Sequence, residues 1–295
     1  MNRHGMLVAA ALLALAVCQT GCQLAPPAPA LSVAEVRGLV DAADAAMDRK
    51  DYAVAAKDYR RAADAGDAAA MNGLGWRYEN GWGVAKDPAE AMQWYRRSAD
   101  AGFAQAMVNL GWMHQHAIGV AEDFAQAMKW YKKAAEAGNV HAMVRIGRLY
   151  ERGRGVAKDY IEAESWYRKA AAAGDTGAMA NLGWLYQNGF GVERDYAEAM
   201  KWYLKAVDAR NAFAMCNIGT LYQNGWGVAT DYTQAMKWYE QAAEAGNAGA
   251  MGNLGTMYQN GMGVERNPAK AKEWYEKAAK AGYDPARRWL AEHSR

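Results

Sequence analysis

The feature that most constrains this chain is a Trp-Tyr pair that returns every 36 residues. The segment MKWYKKAAEAGN at 128–139 comes back almost unchanged as MKWYEQAAEAGN at 236–247. The pair itself occurs six times, at 94–95, 130–131, 166–167, 202–203, 238–239 and 274–275. A fixed period of this length indicates a repeat array, in which each unit packs mainly on its neighbours. We therefore interpret the 295 residues as a linear array rather than as one or two globular domains.

Each unit begins with an amphipathic helix of the pattern AMxxLGxLY, as at Met179, Leu182, Gly183 and Tyr186. These positions are spaced i, i+3, i+4 and i+7, so they share one face of a helix. The Gly recurs in all six units, although Gly inside a helix costs about 1 kcal/mol relative to Ala. We infer that another helix crosses there too closely for a side chain. The six positions are Gly75, Gly111, Gly147, Gly183, Gly219 and Gly255.

A Gly-rich loop and a second helix complete the unit. The loop reads NGxGV in four of the six units, and two Gly residues one residue apart suit a turn with positive φ angles. The second helix starts at an Asp with Glu or Gln three residues later, the spacing of a capping box. It carries the Trp-Tyr pair at its middle, where flat aromatic rings can wedge between units, and it ends at a Gly stop. The starting residues are Asp87, Asp123, Asp159, Asp195 and Asp231.

This pattern predicts the organisation of the chain. Six units occupy residues 67–282, a degenerate unit precedes them at 32–66, and a capping helix follows at 283–295. One junction departs from the pattern, because Arg210 stands where six other units have the Gly stop. A non-Gly residue in the left-handed conformation costs on the order of 1 kcal/mol. We expect a bend or a soft joint between residues 203 and 215.

The N-terminus is typical of an export signal. Arg3 supplies a positive charge, and residues 6–17 form an apolar run of 12 residues, too short to span a bilayer. We interpret residues 1–21 as a signal peptide and the Pro-rich residues 22–31 as a tether.

The end of the apolar run resembles the cleavage site of a bacterial lipoprotein. Cys22 follows the small residue Gly21 and is the expected lipidation site, with Cys18 as the alternative. Gln rather than Asp follows either Cys, which by resemblance to lipoprotein sorting favours an outer-membrane lipoprotein that faces the periplasm. An ordinary cleavage after the APA that precedes Leu31 would instead release a soluble periplasmic or secreted protein.

The complete unit, AMxxLGxLYxNGxGVxxDYxxAMxWYxKAAxAG, resembles the Sel1-like repeat, a relative of the tetratricopeptide repeat. The resemblance covers about residues 51–295. It implies an all-α fold, a right-handed superhelical solenoid of antiparallel helix pairs. It also implies a scaffold, adaptor or chaperone-like role with protein partners, often in the bacterial envelope. Some members carry Cys pairs that clamp each unit, and this chain departs from that branch.

We find no residue set that indicates catalysis or metal binding. The four Ser residues lie outside S-x-x-K and G-x-S-x-G motifs, so the β-lactamase-like activity described for some Cys-rich relatives is unsupported. His114 and His116 point to different faces of a helix, and no Cys or acidic cluster completes a site. With 34 basic and 32 acidic residues, nothing indicates a nucleic-acid partner. We expect no enzymatic activity, cofactor, metal or small-molecule substrate.

Binding is the remaining function, and the variable face of the first helices is its expected location. In a solenoid of this kind the first helices line the concave side, where an Asn ladder with exposed Trp can bind an extended partner. Alternatively, the Asn residues brace neighbouring helices or loops. One unit places Arg145, Arg148 and Arg152 on this face instead. The expected binding residues are Trp76, Asn80, Asn109, Trp112, Asn181, Trp184, Asn188, Asn217, Asn224, Asn253 and Asn260.

The residue between the two Gly of each loop is a second unusual position, because it is apolar in five of six units. It forms either a hydrophobic edge for a partner or a contact with the next unit, and its regularity favours packing. The six residues are Trp82, Ile118, Arg154, Phe190, Trp226 and Met262. The sequence thus predicts a non-catalytic protein–protein interaction scaffold anchored in the cell envelope. The alternatives are a soluble periplasmic or secreted adaptor and a cell-wall-active enzyme.

Overall fold

The computed structural model of the protein describes residues 31–293, and this range contains fifteen α-helices and no strand. The helices are α1 (Val33–Asp48), α2 (Tyr52–Asp64), α3 (Ala68–Asn80), α4 (Pro88–Asp100), α5 (Ala104–Gln115), α6 (Phe124–Glu136), α7 (Val140–Arg152), α8 (Tyr160–Ala172), α9 (Thr176–Asn188), α10 (Tyr196–Val207), α11 (Ala212–Asn224), α12 (Tyr232–Glu244), α13 (Ala248–Asn260), α14 (Pro268–Lys280) and α15 (Asp284–Glu292). The predicted signal peptide, with Cys18 and Cys22, lies outside the described residues.

Consecutive helices pack against each other along the whole described chain. The two helices of a unit, such as α9 and α10, make the most extensive contact, and the second helix then packs on the first helix of the next unit. Contacts between elements farther apart in the chain are few. This is the architecture of an array whose units touch only their neighbours, and it confirms the predicted all-α solenoid of helix pairs.

The Gly in the middle of each first helix contacts the Tyr of the Trp-Tyr pair in the second helix of the same unit. A Cβ atom on Gly183 would lie only 2.6 Å from Cδ1 of Tyr203. The equivalent distance is between 2.5 and 2.8 Å in all six units. These Tyr side chains are buried in every unit. The close crossing inferred from the recurring Gly is therefore confirmed, and the crossing helix is the second helix of the same unit.

The hydroxyl of the buried Tyr has a repeated partner as well. Tyr203 donates a hydrogen bond to Oε1 of Gln187, which lies four residues after Gly183, at 2.8 Å. A Glu or Gln accepts the equivalent bond at 2.6 to 2.9 Å in every unit. A buried hydroxyl without a partner would cost about 1–3 kcal/mol. Two residues of the first helix thus hold the Tyr of the second helix. The Gly packs on its ring, and the Glu or Gln accepts a hydrogen bond from its hydroxyl.

The Trp of the pair packs against a different neighbour. Trp130 of α6 contacts the core between α4 and α5, and Trp166 of α8 contacts the core between α6 and α7. Each Trp therefore reaches back to the preceding unit, and the expected wedging of aromatic rings between units is confirmed. In five units an Arg or Lys three residues later lies over the indole ring at 4.1 to 4.6 Å from its centroid.

Side-chain caps set the helix starts as the sequence predicts. Asp195 accepts a hydrogen bond from the backbone N–H of Glu198, and the other second-helix Asp residues do the same in their units. The capping-box interpretation needs one correction. The reciprocal bond forms at Ser32 and Glu35, whereas Glu90 accepts a hydrogen bond from Nε1 of Trp94 instead. The indole N–H of a nearly buried Trp needs a partner, and it competes with the backbone for that carboxylate.

The second Gly of each loop lets the loop lie on the preceding unit. A Cβ atom on Gly191 would lie 2.6 Å from the carbonyl carbon of Tyr160, and one on Gly83 would lie 1.8 Å from the carbonyl oxygen of Tyr52. The φ angles of these two Gly are +70° and +78°, the left-handed values predicted for this loop. Each loop therefore covers the N-terminus of the second helix of the unit before it.

Arg210 adopts the left-handed conformation that Gly adopts at the other junctions, with φ +55°. The helix before it, α10, ends at Val207 and is one residue shorter than α8 or α12. At the neighbouring junctions the residue after the Gly donates a hydrogen bond back to the helix, from Asp175 to Ala170 and from Asn247 to Ala242. Within residues 31–293, Asn211 forms no equivalent bond. Among the described residues, this junction combines a strained backbone with fewer hydrogen bonds back to the helix.

We predict that Gly183→Ala lowers the free energy of unfolding by about 1–3 kcal/mol, because the new Cβ overpacks the ring of Tyr203. Gly38→Ala is the matched control. It also replaces a helical Gly, but its Cβ would have no heavy atom within 4 Å, so it should stabilise by up to about 1 kcal/mol. Thermal and urea unfolding measure both changes. Equal effects of the two substitutions would show that Gly183 is not needed for a close helix crossing.

We further predict that the backbone amides of residues 208–211 exchange hydrogen faster than those at the Gly174 and Gly246 junctions. The reasons are the left-handed Arg210 and the missing hydrogen bond from Asn211. Native-state hydrogen exchange measures the rates, and Arg210→Gly should slow exchange to the level of the other two junctions. Equal protection at all three junctions in the unsubstituted protein would contradict the soft joint.

Candidate partner-binding surface

The predicted binding residues lie on one side of the first helices α3, α5, α9, α11 and α13, which we call the first-helix face. This face is opposite in register to the buried Leu and Gly of the core, such as Leu182 and Gly183. Most of its Asn side chains fall into two groups that the sequence does not distinguish.

The first group braces its own helix. Nδ2 of Asn80, Asn188 and Asn224 donates to the carbonyl oxygen four residues earlier in the same helix, at 2.8 to 2.9 Å. Asn217 makes the same bond to the carbonyl of Phe213 at 2.9 Å. These bonds hold each Asn to its own helix, whereas the alternative expectation has the Asn residues brace neighbouring helices or loops. They occupy one donor of each amide and leave the side chains at the surface of the array, where Asn80, Asn188, Asn224 and also Asn260 are exposed.

The second group faces the neighbouring unit. Nδ2 of Asn109 donates to Oδ1 of Asn72 at 2.9 Å, and Nδ2 of Asn253 lies 3.9 Å from Sγ of Cys216. Asn181 differs from both groups, because its Nδ2 is buried and has no hydrogen-bond partner among the described residues. A buried amide donor without a partner is costly.

The Trp residues of the first-helix face pack against the loop aromatics. Trp184 lies 5.1 Å from Phe190 between ring centroids, and Phe190 stacks on Tyr160 at 4.7 Å. Trp76 contacts Trp82 at 4.5 Å in the same way, and Trp82 contacts Tyr52. The loop residue therefore packs on the preceding unit, and the expectation that it folds onto the next unit is wrong. The direction follows from the loop Gly, whose missing side chain admits the preceding helix.

The first-helix face and the loop residues between the two Gly, which the sequence treats as separate surfaces, thus form one surface. We call the aromatic residues between the two Gly of the loops, together with the Trp and Tyr rings that they contact, the aromatic edge. It adjoins the first-helix face in at least two units and remains accessible. Trp76 is 36% exposed and Trp82 is 37% exposed, while Trp112 and Trp184 are half-buried. The aromatic edge consists of Tyr52, Trp76, Trp82, Tyr160, Trp184, Phe190, Tyr196 and Trp226.

One unit places arginines on this face. Arg145 lies over the ring of Trp112 at 4.6 Å, and Arg154 of the following loop lies over the ring of Phe124 at 5.3 Å. Arg148 and Arg152 are exposed, and neither takes part in any of the five ion pairs found among residues 31–293. The sequence shows these arginines but gives no sign of what lies beside them.

A cavity of about 350 Å³ lies beside Arg148 and Arg152. It opens between α7, α9 and α11, and Asn181, Asn211 and Phe213 line its other side. Nδ2 of Asn211 donates to the carbonyl of Thr176 at 3.3 Å. Asn211 and Phe213 are absent from the sequence-based set of binding residues, because they come from a helix start two units further along the chain. No signal in a single unit reveals them.

Burial shifts the pKa of several titratable groups within residues 31–293. Burial lowers the pKa of His114 and of His116, and Nδ1 of His114 is buried without a partner among the described residues. Burial raises the pKa of the Cys216 thiol to about 11, which keeps it protonated and unreactive near neutral pH. The described part of the chain contains no cluster of three His, Cys, Asp or Glu residues able to hold a metal ion. It also contains no helix with the length and apolar character needed to cross a membrane.

Comparison with known proteins identifies the repeat. The Sel1 repeat family matches six consecutive stretches of the chain, at residues 68–103, 104–139, 140–175, 176–211, 212–247 and 248–283. The chain belongs to the Sel1 repeat family. The resemblance inferred from the 36-residue pattern is confirmed, and each matched stretch holds the contact between its mid-helix Gly and the Tyr of its Trp-Tyr pair. Sel1 repeats are generally protein–protein interaction modules, and proteins built from them are typically non-catalytic scaffolds.

Solved structures show the same fold. A Sel1 repeat protein from Oxalobacter formigenes is 37% identical with a TM-score of 0.76, and the match covers 82% of this chain and 99% of that protein. A protective antigen from uropathogenic Escherichia coli strains, which displays an SLR fold, is 36% identical with a TM-score of 0.75. That match covers 88% of this chain but 56% of the antigen, so this chain spans about half of the antigen's length. No curated protein matches the chain by sequence.

Proposed function

We propose that this chain is a non-catalytic scaffold that binds protein partners on the first-helix face and the aromatic edge. The observation that carries the proposal is the variability of the position held by Trp184. The equivalent residues in other units are Trp76, Trp112, Arg148, Thr220 and Thr256, while the Gly–Tyr contact beside them stays the same. The fold accepts any of these side chains, so the fold does not explain why three of them are Trp.

The chemistry of the surface fits a protein partner. Half-buried indole rings held by a neighbouring aromatic ring resemble the anchors of protein interfaces, which are enriched in Trp, Tyr and Arg. Exposed Asn side chains along the same helices add hydrogen-bonding groups at the border of these rings. An array of first helices offers such a surface over several units, which is how solenoids present extended binding sites.

We place the scaffold in the bacterial cell envelope, as an outer-membrane lipoprotein that faces the periplasm. The support is the apolar run at 6–17, the small residue before Cys22 and the Pro-rich segment that follows. Lipid chains on Cys22 would anchor the array, and stable attachment requires more than one chain. The Escherichia coli relative is a protective antigen, which is in keeping with an exported location for this chain. A soluble periplasmic or secreted adaptor is the alternative, favoured by the small residues before Leu31.

The first test concerns Trp184. We expect Trp184→Ala to weaken partner binding by about 2 kcal/mol or more, as loss of an interface anchor does, and to lower stability by only about 1–2 kcal/mol, because the ring is half-buried. Trp94→Ala is the control, since Trp94 is 3% exposed and its loss should cost about 3–5 kcal/mol of stability.

The partner is found by photo-cross-linking in the cells that produce the protein. A photoreactive amino acid replaces Asn188 on the first-helix face or, as a control, Lys237 on the exposed side of α12. A protein captured from position 188 and not from 237 is then used to measure binding. Equal capture from both positions, or unchanged binding by a folded Trp184→Ala variant, would contradict partner binding on the first-helix face.

The second test concerns the lipid anchor. Metabolic labelling with palmitate should label the unsubstituted protein and Cys18→Ser but leave Cys22→Ser unlabelled. Label that survives in both single variants would show that the lipid is not assigned to one Cys. The absence of label from the unsubstituted protein would exclude lipidation and favour the soluble adaptor.

A further inference from the structure

The unit formed by α7 and α8 differs from the other five in the charge of its first-helix face. Arg148 takes the position that Trp or Thr holds elsewhere, and Arg152 takes the position held by Asn or His. The formal net charge of the chain is only +2. The positive charge at this point of the array is therefore local and not part of a general excess of basic residues.

Neither of these two cations has an acidic partner in the part of the chain that the structure describes. The side chains of Arg148 and Arg152 form neither an ion pair nor a hydrogen bond with any residue in the range 31–293. The one carboxylate that lines the neighbouring cavity belongs to Glu151. Its Oε2 accepts a hydrogen bond from the hydroxyl of Tyr167 at 2.6 Å. Arg145 and Arg154 stack on Trp112 and Phe124 of the preceding unit and are not among the residues that line the cavity.

The cavity combines three kinds of group that a peptide segment needs. The exposed guanidinium groups of Arg148 and Arg152 can bind a carboxylate through paired N–H donors. Asn181 lines the cavity, and its Nδ2 is buried without a partner among residues 31–293, so a rotation of this side chain toward the cavity lets Nδ2 donate to a backbone carbonyl. Phe213 is 43% exposed and offers an apolar contact. The volume of about 350 Å³ is at the lower end of the range for small-ligand pockets, so it suits one or two side chains.

We propose that α7, α9 and α11 form a receptor site for an acidic segment of a partner protein. An Asp or Glu carboxylate binds Arg148 and Arg152, a carbonyl of the segment accepts from Asn181, and an apolar side chain packs on Phe213. The inference rests on the proposed scaffold function and adds the chemistry of its partner. A nucleic acid fits less well, because its binding proteins spread basic residues over a wide surface, whereas these arginines belong to a single unit.

The test starts from a random dodecapeptide library displayed on phage and selected on the purified full-length protein. Enriched peptides are synthesised with a fluorophore, and their dissociation constants are measured by fluorescence anisotropy at low and at physiological salt. We expect enrichment of Asp and Glu next to an apolar residue. The double variant Arg148→Gln/Arg152→Gln should weaken binding at least tenfold, and Arg148→Lys/Arg152→Lys should weaken it less.

The matched control is Lys129→Gln/Lys132→Gln, which removes the same charge from exposed positions of α6 and should change binding less than twofold. Circular dichroism verifies that every variant is folded. A twelve-nucleotide single-stranded DNA is the competing probe. Peptides without acidic enrichment, acidic peptides that bind the Gln variant unchanged, or DNA that binds more tightly than the peptides through the same arginines would each overturn the proposal.

The outcomes also separate this inference from the scaffold function. Peptides that lose affinity with Trp184→Ala and not with the Arg148→Gln/Arg152→Gln variant would overturn the acidic-segment site and leave partner binding on the first-helix face intact. Selection that yields no binding peptide, or only peptides insensitive to every substitution on that face, would count against both proposals.

Discussion

The contact between the Gly in the middle of each first helix and the buried Tyr ring of the second helix sets the geometry of this protein. In each unit the Tyr ring lies where the Cβ of a mid-helix residue would be, so the two helices approach to a distance that only Gly permits. The hydroxyl of the same Tyr then fixes the rotation of the first helix through a Glu or Gln one turn further on. The neighbouring Trp continues the packing into the preceding unit. Units with this arrangement stack in one way only, since both ends of each aromatic pair have a defined partner.

A core specified so locally leaves the remaining face of the first helices to vary. The position next to the Gly–Tyr contact accepts Trp184, Arg148 or Thr220 without a change in the backbone around it. At Thr220 the hydroxyl lies 3.2 Å from the hydroxyl of Tyr239 and joins the buried hydrogen bond, whereas at Trp184 the ring turns to Phe190. Different units can therefore carry different recognition chemistry on identical supports. This explains how an aromatic surface and two arginines without an ion pair among residues 31–293 occur on one array with a nearly balanced total charge.

The sequence alone predicts most of the fold and less of the surface, for physical reasons. Gly183 predicts a close crossing because its cost inside a helix needs a cause, but period and spacing do not say that Tyr203 is the ring above it. A repeat pattern has no information on which neighbour a loop covers. The expectation that Trp82 packs on the next unit is therefore wrong, and Trp82 packs on Tyr52 of the preceding unit. Asn109 and Asn188 look equivalent in sequence, yet one bonds to the neighbouring unit and the other to its own helix. The cavity at Arg148 joins three successive units, so no single repeat encodes it.

The loops give the array a direction. Each loop lies on the second helix of the unit that precedes it, through Gly83 on Tyr52 and Gly191 on Tyr160, and the indole rings such as Trp130 also reach backwards along the chain. A unit thus completes its packing on a surface that has already left the ribosome when the unit itself is synthesised. Removal of units from the C-terminal end leaves every remaining loop with the helix that it covers. Removal from the N-terminal end exposes the underside of a loop, with its two left-handed Gly and its apolar residue. Removal of the same number of repeats therefore has different consequences for loop packing at the two ends of the chain.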